Sequence, residues 1–174
     1  GGKEVNTFKG FAWELLRQST EKIQVMARQL DLWVILGSTH PLSGRHKPHN
    51  SLYIINSRGK IVDRYDKRFC CSAPNGKGFD LKYYSPGNHF AVFDIKGIKC
   101  GALICHDYRY PELYREYKRR GVQLMFHSFH LGHMTRNQWK ECQAMYNVTV
   151  PATMGTYAAC NHMWISVNNT CERE

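Results

Sequence analysis

The feature that most constrains this chain is the alternation of two spacings. Strand-length apolar runs are separated by segments whose apolar residues recur at helical intervals. Between Ser19 and Leu30, residues Ile23, Ala27 and Leu30 fall at i, i+4 and i+7, one face of a helix. Residues 31–37 follow as a continuous apolar run closed by glycine, which predicts a buried strand. Residues 51–55 and 61–65 flank Asn56-Ser57-Arg58-Gly59 and predict a hairpin, and residues 90–93 and 99–105 predict a second strand pair around Lys96-Gly97. Pro111 suits the first turn of a helix that carries Leu113, Tyr114 and Tyr117 on its apolar face and runs to about Arg120. Residues 122–126 predict a strand, 137–146 a helix and 163–167 a last strand. Helical crossovers mixed with hairpins specify an α/β fold with a mixed sheet. Trp13, Trp33, Trp139 and residues 144–147 read as packing positions.

Composition narrows the class. At about 150 residues per domain, 174 residues make one domain over 1–174, and 43% apolar content supports a core that a disordered chain would lack. No apolar run reaches the length of a membrane span, and the opening Gly-Gly-Lys-Glu shows neither an initiator methionine nor a secretory leader. The seven cysteines, at 70, 71, 100, 105, 142, 160 and 171, are odd in number and contain no C-x-x-C pair. That usage predicts reduced thiols in a cytoplasmic protein, and the sequons at Asn147 and Asn168 carry no weight without a leader. The 24 Lys and Arg against 14 Asp and Glu give a net charge of +10. They are scattered, with clusters only at 58–68 and 115–120, and the second cluster sits where cations favour a helix C-terminus. Nucleic acid and membrane are therefore not the expected partners.

Two places stand out chemically. Residues 70–87 form a long polar stretch holding Pro74-Asn75-Gly76, Gly78 and Pro86-Gly87, and loops of this length in compact domains are usually functional. Cys105 lies where the apolar strand 101–104 gives way to the turn His106-Asp107-Tyr108-Arg109, just ahead of the helix at Pro111. A sulfur there sits at the carboxyl end of a strand, where α/β sheets bind ligands, and near a helix N-terminus that favours thiolate. A buried structural thiol is the competing reading.

The segment Leu103-Ile-Cys105-His-Asp107-Tyr-Arg109-Tyr-Pro111-Glu112-Leu113 resembles the nucleophile segment of the nitrilase, or carbon-nitrogen hydrolase, superfamily. Gly37-Ser38, His49-Asn50-Ser51, Gly59-Lys-Ile-Val and Tyr65-Asp-Lys67 resemble the family's run up to its catalytic lysine, and Ser85-Pro86-Gly87 resembles the turn before the nucleophile strands. The match runs in order from about Ser19 to Val167. It implies an α-β-β-α sandwich of two mixed sheets, no cofactor or metal, and a homo-oligomer whose interface aromatics would lie near Tyr114, Tyr117, Trp139 and Tyr146. It also implies a Glu-Lys-Cys triad. Cys105 would be the nucleophile, Lys67 and the backbone N–H of His106 the oxyanion stabilisers, and Asp80 a supporting carboxylate. Phe129 and His130 would shape the substrate site. Nitrilases proper tend to carry Trp and Glu after the cysteine, whereas amidase and carbamoylase branches tend to carry an aromatic or polar residue and then Asp. His106-Asp107 therefore implies hydrolysis of a small amide or carbamoyl compound.

The pattern departs from the family at both ends. Counting back along it puts the base glutamate ahead of Gly1, Glu4 being the nearest carboxylate within the chain. Cys171-Glu-Arg-Glu falls where relatives still have strands to come. A degenerate homologue that has lost the base is the alternative this leaves open. Two further classes compete: a metal protein using His127, His130 and His133, which recur every three residues, and a binding module using the basic surface.

Overall fold

The structure, a computed structural model, describes residues 8, 10–43, 46–71, 79–130 and 136–169, without the side chains of residues 79, 138, 142 and 145. The chain divides into two compact units, Gly1–His89 and Phe90–Glu174.

In the first unit, helix α1 spans Trp13–Gln29. Leu16, Thr20, Ile23 and Ala27 turn inward while Leu15, Val25 and Met26 stay exposed. The helix begins ahead of the predicted Ser19, its first turns presenting the ion-paired Glu14, Arg17 and Glu21 to solvent. Strands β1 (Val34–His40), β2 (His49–Ile55) and β3 (Ile61–Asp66) follow in an antiparallel sheet of order β1-β2-β3. The predicted hairpin is the β2–β3 connection. Its Asn56 Oδ1 accepts the backbone N–H groups of Arg58 and Lys60, both at 3.0 Å. Gly59 has φ +75°, and a Cβ there would stand 2.3 Å from the Gln24 carbonyl oxygen. Helix and hairpin thus meet backbone to backbone, secured by Gln24 Nε2 donating to the Gly59 carbonyl at 2.8 Å. A short helix, α2 (Phe79–Tyr83), closes the polar stretch, whose residues 72–78 lie outside the described residues.

The second unit holds the mixed sheet. β4 (Val92–Ile95) and β5 (Ile98–Ile104) form a hairpin through Lys96 and Gly97, at φ +53° and +83°, the positive pair that a tight two-residue turn needs. β5, β6 (Leu124–Ser128) and β7 (Trp164–Asn168) are parallel, joined by helices α3 (Pro111–Arg119) and α4 (Arg136–Asn161). α3 seats closely on β5: a Cβ on Gly101 would lie 2.7 Å from the Tyr117 ring, and Tyr117 Oη donates to the Ala102 carbonyl at 2.8 Å. α4 runs through Pro151, well past the predicted end at 146. An interior proline costs about 3 kcal/mol, but beyond it Met154, Tyr157 and Asn161 form an inward face, with the Tyr157 ring 4.5 Å from that of Tyr114. Of the expected packing residues, Ala144 and Asn147 are exposed.

Three predicted strands start later than their apolar runs, for one physical reason. Each preceding helix ends on a left-handed residue, Asp31, Gly121 or His162. The next residue's N–H then reaches back five positions, Leu32 to Ala27, Val122 to Tyr117 and Met163 to Ala158. The first apolar residues of each run therefore cap a helix.

We expect Gly59→Ala to destabilise the protein by about 2 kcal/mol or more, from left-handed strain plus the clash with α1. Gly37→Ala, where a Cβ meets nothing within 4 Å, should leave the urea midpoint nearly unchanged.

Candidate active site

In the first unit the chemistry gathers at the end of β3. The Lys67 N–H donates to the Asn50 carbonyl at 2.8 Å and the Lys67 carbonyl accepts from Gly87 N–H at 2.9 Å, so the residue is held on both sides by main chain. Ser85 N–H to the Pro48 carbonyl, and His49 Nδ1–H to the Ser85 carbonyl at 2.7 Å, anchor the Ser85-Pro86-Gly87 turn. Gly87 is obligatory, since a Cβ would stand 2.5 Å from the Asp66 backbone oxygen. Asp66 is itself buried, accepting from Ser51 Oγ at 2.6 Å and from Arg64 through two nitrogens at 2.9 Å.

The Lys67 side chain is only 3% exposed, and its ammonium pairs with the carboxylate of Asp80, which is 22% exposed. Lysines are almost never buried unless paired. Cys71 completes the cluster, with its Sγ 3.5 Å from Lys67 Nζ and its N–H 3.0 Å from Asp80 Oδ2. Burial by itself would raise the Asp80 carboxyl. The adjacent Lys67 charge and the hydrogen bonds from Lys67 and Cys71 outweigh it and hold the carboxyl below its ordinary value. The structure thus brings together Lys67 and Asp80. Cys71 was not singled out by sequence, where it is counted only as one of seven cysteines.

In the second unit, Cys105 opens the 3-10 turn Cys105–Arg109 directly after β5. Its φ of +44° is left-handed, a conformation that a residue with a Cβ adopts only at a cost of about 1–2 kcal/mol. The fully buried Asp107 closes the turn, its Oδ2 accepting the Ile104 N–H at 3.0 Å. His106 is half-buried with its ring 5.8 Å from that of Tyr110. His127, on β6, is fully buried. Its Nε2 lies 3.1 Å from the Cys105 carbonyl oxygen and its Nδ1 2.6 Å from Tyr114 Oη.

The remaining sequence candidates are placed as follows. Phe129 is buried, with its ring 4.5 Å from that of His127 and 5.5 Å from that of Tyr108, and it lines a cavity of about 350 Å³ with Trp139, Tyr146 and Val150. His130 is exposed. Tyr114 and Tyr117 are fully buried within the second unit by α3 packing on the sheet, so neither offers a surface to a partner. Glu4 and His133 lie outside the described residues. Among the described residues no group of three His, Cys, Asp or Glu could hold a metal ion, and no helix is long and apolar enough to cross a membrane.

Comparison with known proteins decides the family. The profile described as carbon-nitrogen hydrolase matches residues 1–174. The chain belongs to the carbon-nitrogen hydrolase family. Within that family it is 31% identical over 121 residues to human omega-amidase NIT2, covering 68% of this chain and 44% of that protein. It is 27% identical to deaminated glutathione amidase of Yersinia enterocolitica over 60% of this chain and 39% of the relative. The chain thus spans about half or less of the length of the curated relatives it matches. Its α/β fold of two sheets with helices matches a carbon-nitrogen hydrolase from Helicobacter pylori G27 with a TM-score of 0.77 at 19% identity, over 92% of this chain and 53% of that one. An amidase from Nesterenkonia sp. matches with a TM-score of 0.71 at 19% identity, over 91% and 54%.

For this family member the Lys67–Asp80 pair sets an acid limit on stability. Because the folded Asp80 carboxyl is held below its ordinary 3.8, its contribution is complete above that range and is lost as pH falls through the lowered folded value. Breaking a buried pair costs about 3–5 kcal/mol, and the partial exposure of Asp80 reduces this to about 2. Asp80→Asn should therefore lower stability by a constant amount above pH ~5, and the gap to wild type should narrow as pH falls below the ordinary carboxylate range and close only below the lowered folded value, read by chemical denaturation across pH.

Proposed function

We propose that the protein hydrolyses the carbon–nitrogen bond of a small amide or carbamoyl compound through a thioester on Cys105. The observation that carries this reading is the left-handed Cys105 at the carboxyl end of β5, within a segment of the family's nucleophile pattern. A strained strand-to-turn junction presents a side chain outward from a rigid sheet, the placement a nucleophile needs. The amidase activity in the relatives' names supports the substrate class. One variant of the Nesterenkonia amidase carries the acetamide moiety of fluoroacetamide covalently at its own active-site cysteine.

In this reading the Cys105 thiolate adds to the carbonyl carbon, forming the C–S bond as the carbonyl π pair moves to oxygen. The ammonium of Lys67 and the His106 N–H stabilise the oxyanion, since preorganised positive charge acts where negative charge develops. The oxyanion collapses, the C–N bond breaks, and ammonia or an amine leaves with a proton from the general acid. Water then adds to the thioester, losing a proton to the same group, and expels the thiolate. A glutamate ahead of α1 serves as that acid and base. Asp80 keeps the ammonium charged and aimed, and Phe129 and His130 border the acyl group. The same reading takes residues 1–174 as part of one hydrolase domain that works in the cytoplasm as a homo-oligomer.

Ammonia release from a panel of small amides by the full-length protein tests this. Cys105→Ala should abolish turnover, and Lys67→Met should lower kcat by about 10²–10³. Amides should be turned over faster than the matching nitriles. Undiminished hydrolysis by Cys105→Ala would exclude the mechanism.

A further inference from the structure

His127, one of the three regularly spaced histidines, is completely buried, and both of its ring nitrogens are engaged. A carbonyl oxygen can only accept, so the nitrogen facing Cys105 must be Nε2–H. Nδ1 faces the Tyr114 hydroxyl at 2.6 Å. Burial pushes the Tyr114 hydroxyl well up, so it remains a donor. The ring is thereby held on both sides, by the Tyr114 hydroxyl at Nδ1 and by its own Nε2–H on the Cys105 carbonyl.

What the imidazole grips matters more than that it is satisfied. The Cys105 carbonyl and the His106 N–H belong to one planar trans peptide, so their bond directions are locked antiparallel. Fixing where the oxygen points fixes where the N–H points. Pairing of β5 with β6 ends at Ile104 and Ser128, so this peptide lies just past the ladder that would otherwise orient it. The left-handed φ of Cys105 turns it further from strand geometry. The clamp is itself rigid: Tyr114 is fully buried, its ring 4.5 Å from that of Tyr157, and the His127 ring lies 4.5 Å from that of Phe129.

We propose that His127, held by Tyr114, is a positioning residue that aims the oxyanion-stabilising N–H of His106 by gripping the carbonyl end of the same peptide. The proposal rests on Cys105 being the nucleophile. In this role His127 acts through the Cys105 carbonyl. Withdrawal of electron density through the gripped carbonyl also strengthens the N–H as a donor, an effect that the dry surroundings enhance.

Two reactions of one sulfur test it. With p-nitrophenyl acetate, Cys105 forms a C–S bond at the acetyl carbon through an oxyanion and p-nitrophenolate leaves. With iodoacetamide, it forms a C–S bond at the methylene carbon as iodide leaves, and no oxyanion develops. Both rates are read at the Cys105 peptide by mass spectrometry on the same full-length sample, so both reactions sample the same conformational population. Removing a whole oxyanion donor costs about 10²–10³ in rate, and misaiming one should cost about 10-fold or more. His127→Leu should therefore lower the acylation-to-alkylation ratio about tenfold. Tyr114→Phe should lower it less, and His127→Gln, which can return an N–H near the Nε2 position, should restore it to within about threefold of wild type. A ratio unchanged in His127→Leu, or not restored by His127→Gln, would overturn the positioning role while leaving Cys105 as nucleophile. Release of p-nitrophenolate by Cys105→Ala at the wild-type rate would remove the nucleophile itself, and the positioning role with it.

Discussion

The second unit depends on one backbone constraint, the left-handed turn at Cys105. A residue with a Cβ held at φ +44° is about 1–2 kcal/mol less favourable than in a strand, so neighbouring contacts must hold it there. They come from separate elements. Asp107 reaches back to the Ile104 N–H and closes the turn from within. Gly101 lets the Tyr117 ring lie directly on β5, bringing α3 close enough for Pro111 to begin the helix straight after the turn. His127 reaches across from β6. Each bond is worth about 1 kcal/mol net, so the strain is matched only by the set acting together.

The first unit solves a different problem with similar means. Two carboxylates and an ammonium are taken largely out of water at the end of β3, and each is paired. Asp66 is met by Arg64 and Ser51, and Lys67 by Asp80. An isolated ion would cost several kcal/mol to bury, so neither pair can lose one member without leaving an uncompensated charge. The two pairs alternate along adjacent residues, which point to opposite faces of the chain as it leaves the strand. Asp66 therefore braces the hairpin and the Gly87 turn, while the Lys67 ammonium is directed to Asp80 and Cys71.

Much of this was legible in the sequence, and the misses have specific causes. Hairpins were read well because Asn56–Gly59 and Lys96-Gly97 carry turn residues whose mechanism is local. The pairing of Lys67 with Asp80 and the place of Cys105 at the end of a strand were legible because these residues stand in a family register. Strand starts were misread because Asp31 and His162 adopt the left-handed cap that glycine more often fills, and only Gly121 announced it. α4 was cut short because a proline is a local signal, while the contacts of Met154 and Tyr157 that carry the helix past it are tertiary. His127 was visible only as one of three evenly spaced histidines, a spacing that suggests a metal. Its partners, Tyr114 on α3 and the Cys105 carbonyl, are 13 and 22 residues away and meet it only once α3 crosses back over the sheet.

Both proposed catalytic side chains sit on the first residue beyond a strand, positioned by groups that survive their removal. Lys67 is fixed through its own N–H and carbonyl, and Cys105 through its carbonyl and the turn that Asp107 closes. Side-chain substitutions there should leave the backbone in place, which separates loss of chemistry from loss of fold. The separation is cleaner at Cys105, where alanine keeps every one of those bonds. At Lys67 a neutral residue strands the Asp80 carboxylate beside the Cys71 N–H, so some of the effect of Lys67→Met would be electrostatic damage to the loop. Pairing it with Asp80→Asn removes both charges together. Stability should then recover toward wild type while turnover stays as low as in Lys67→Met, because burial of the pair is a structural burden and, in the proposed mechanism, the ammonium is one of the two groups that stabilise the oxyanion.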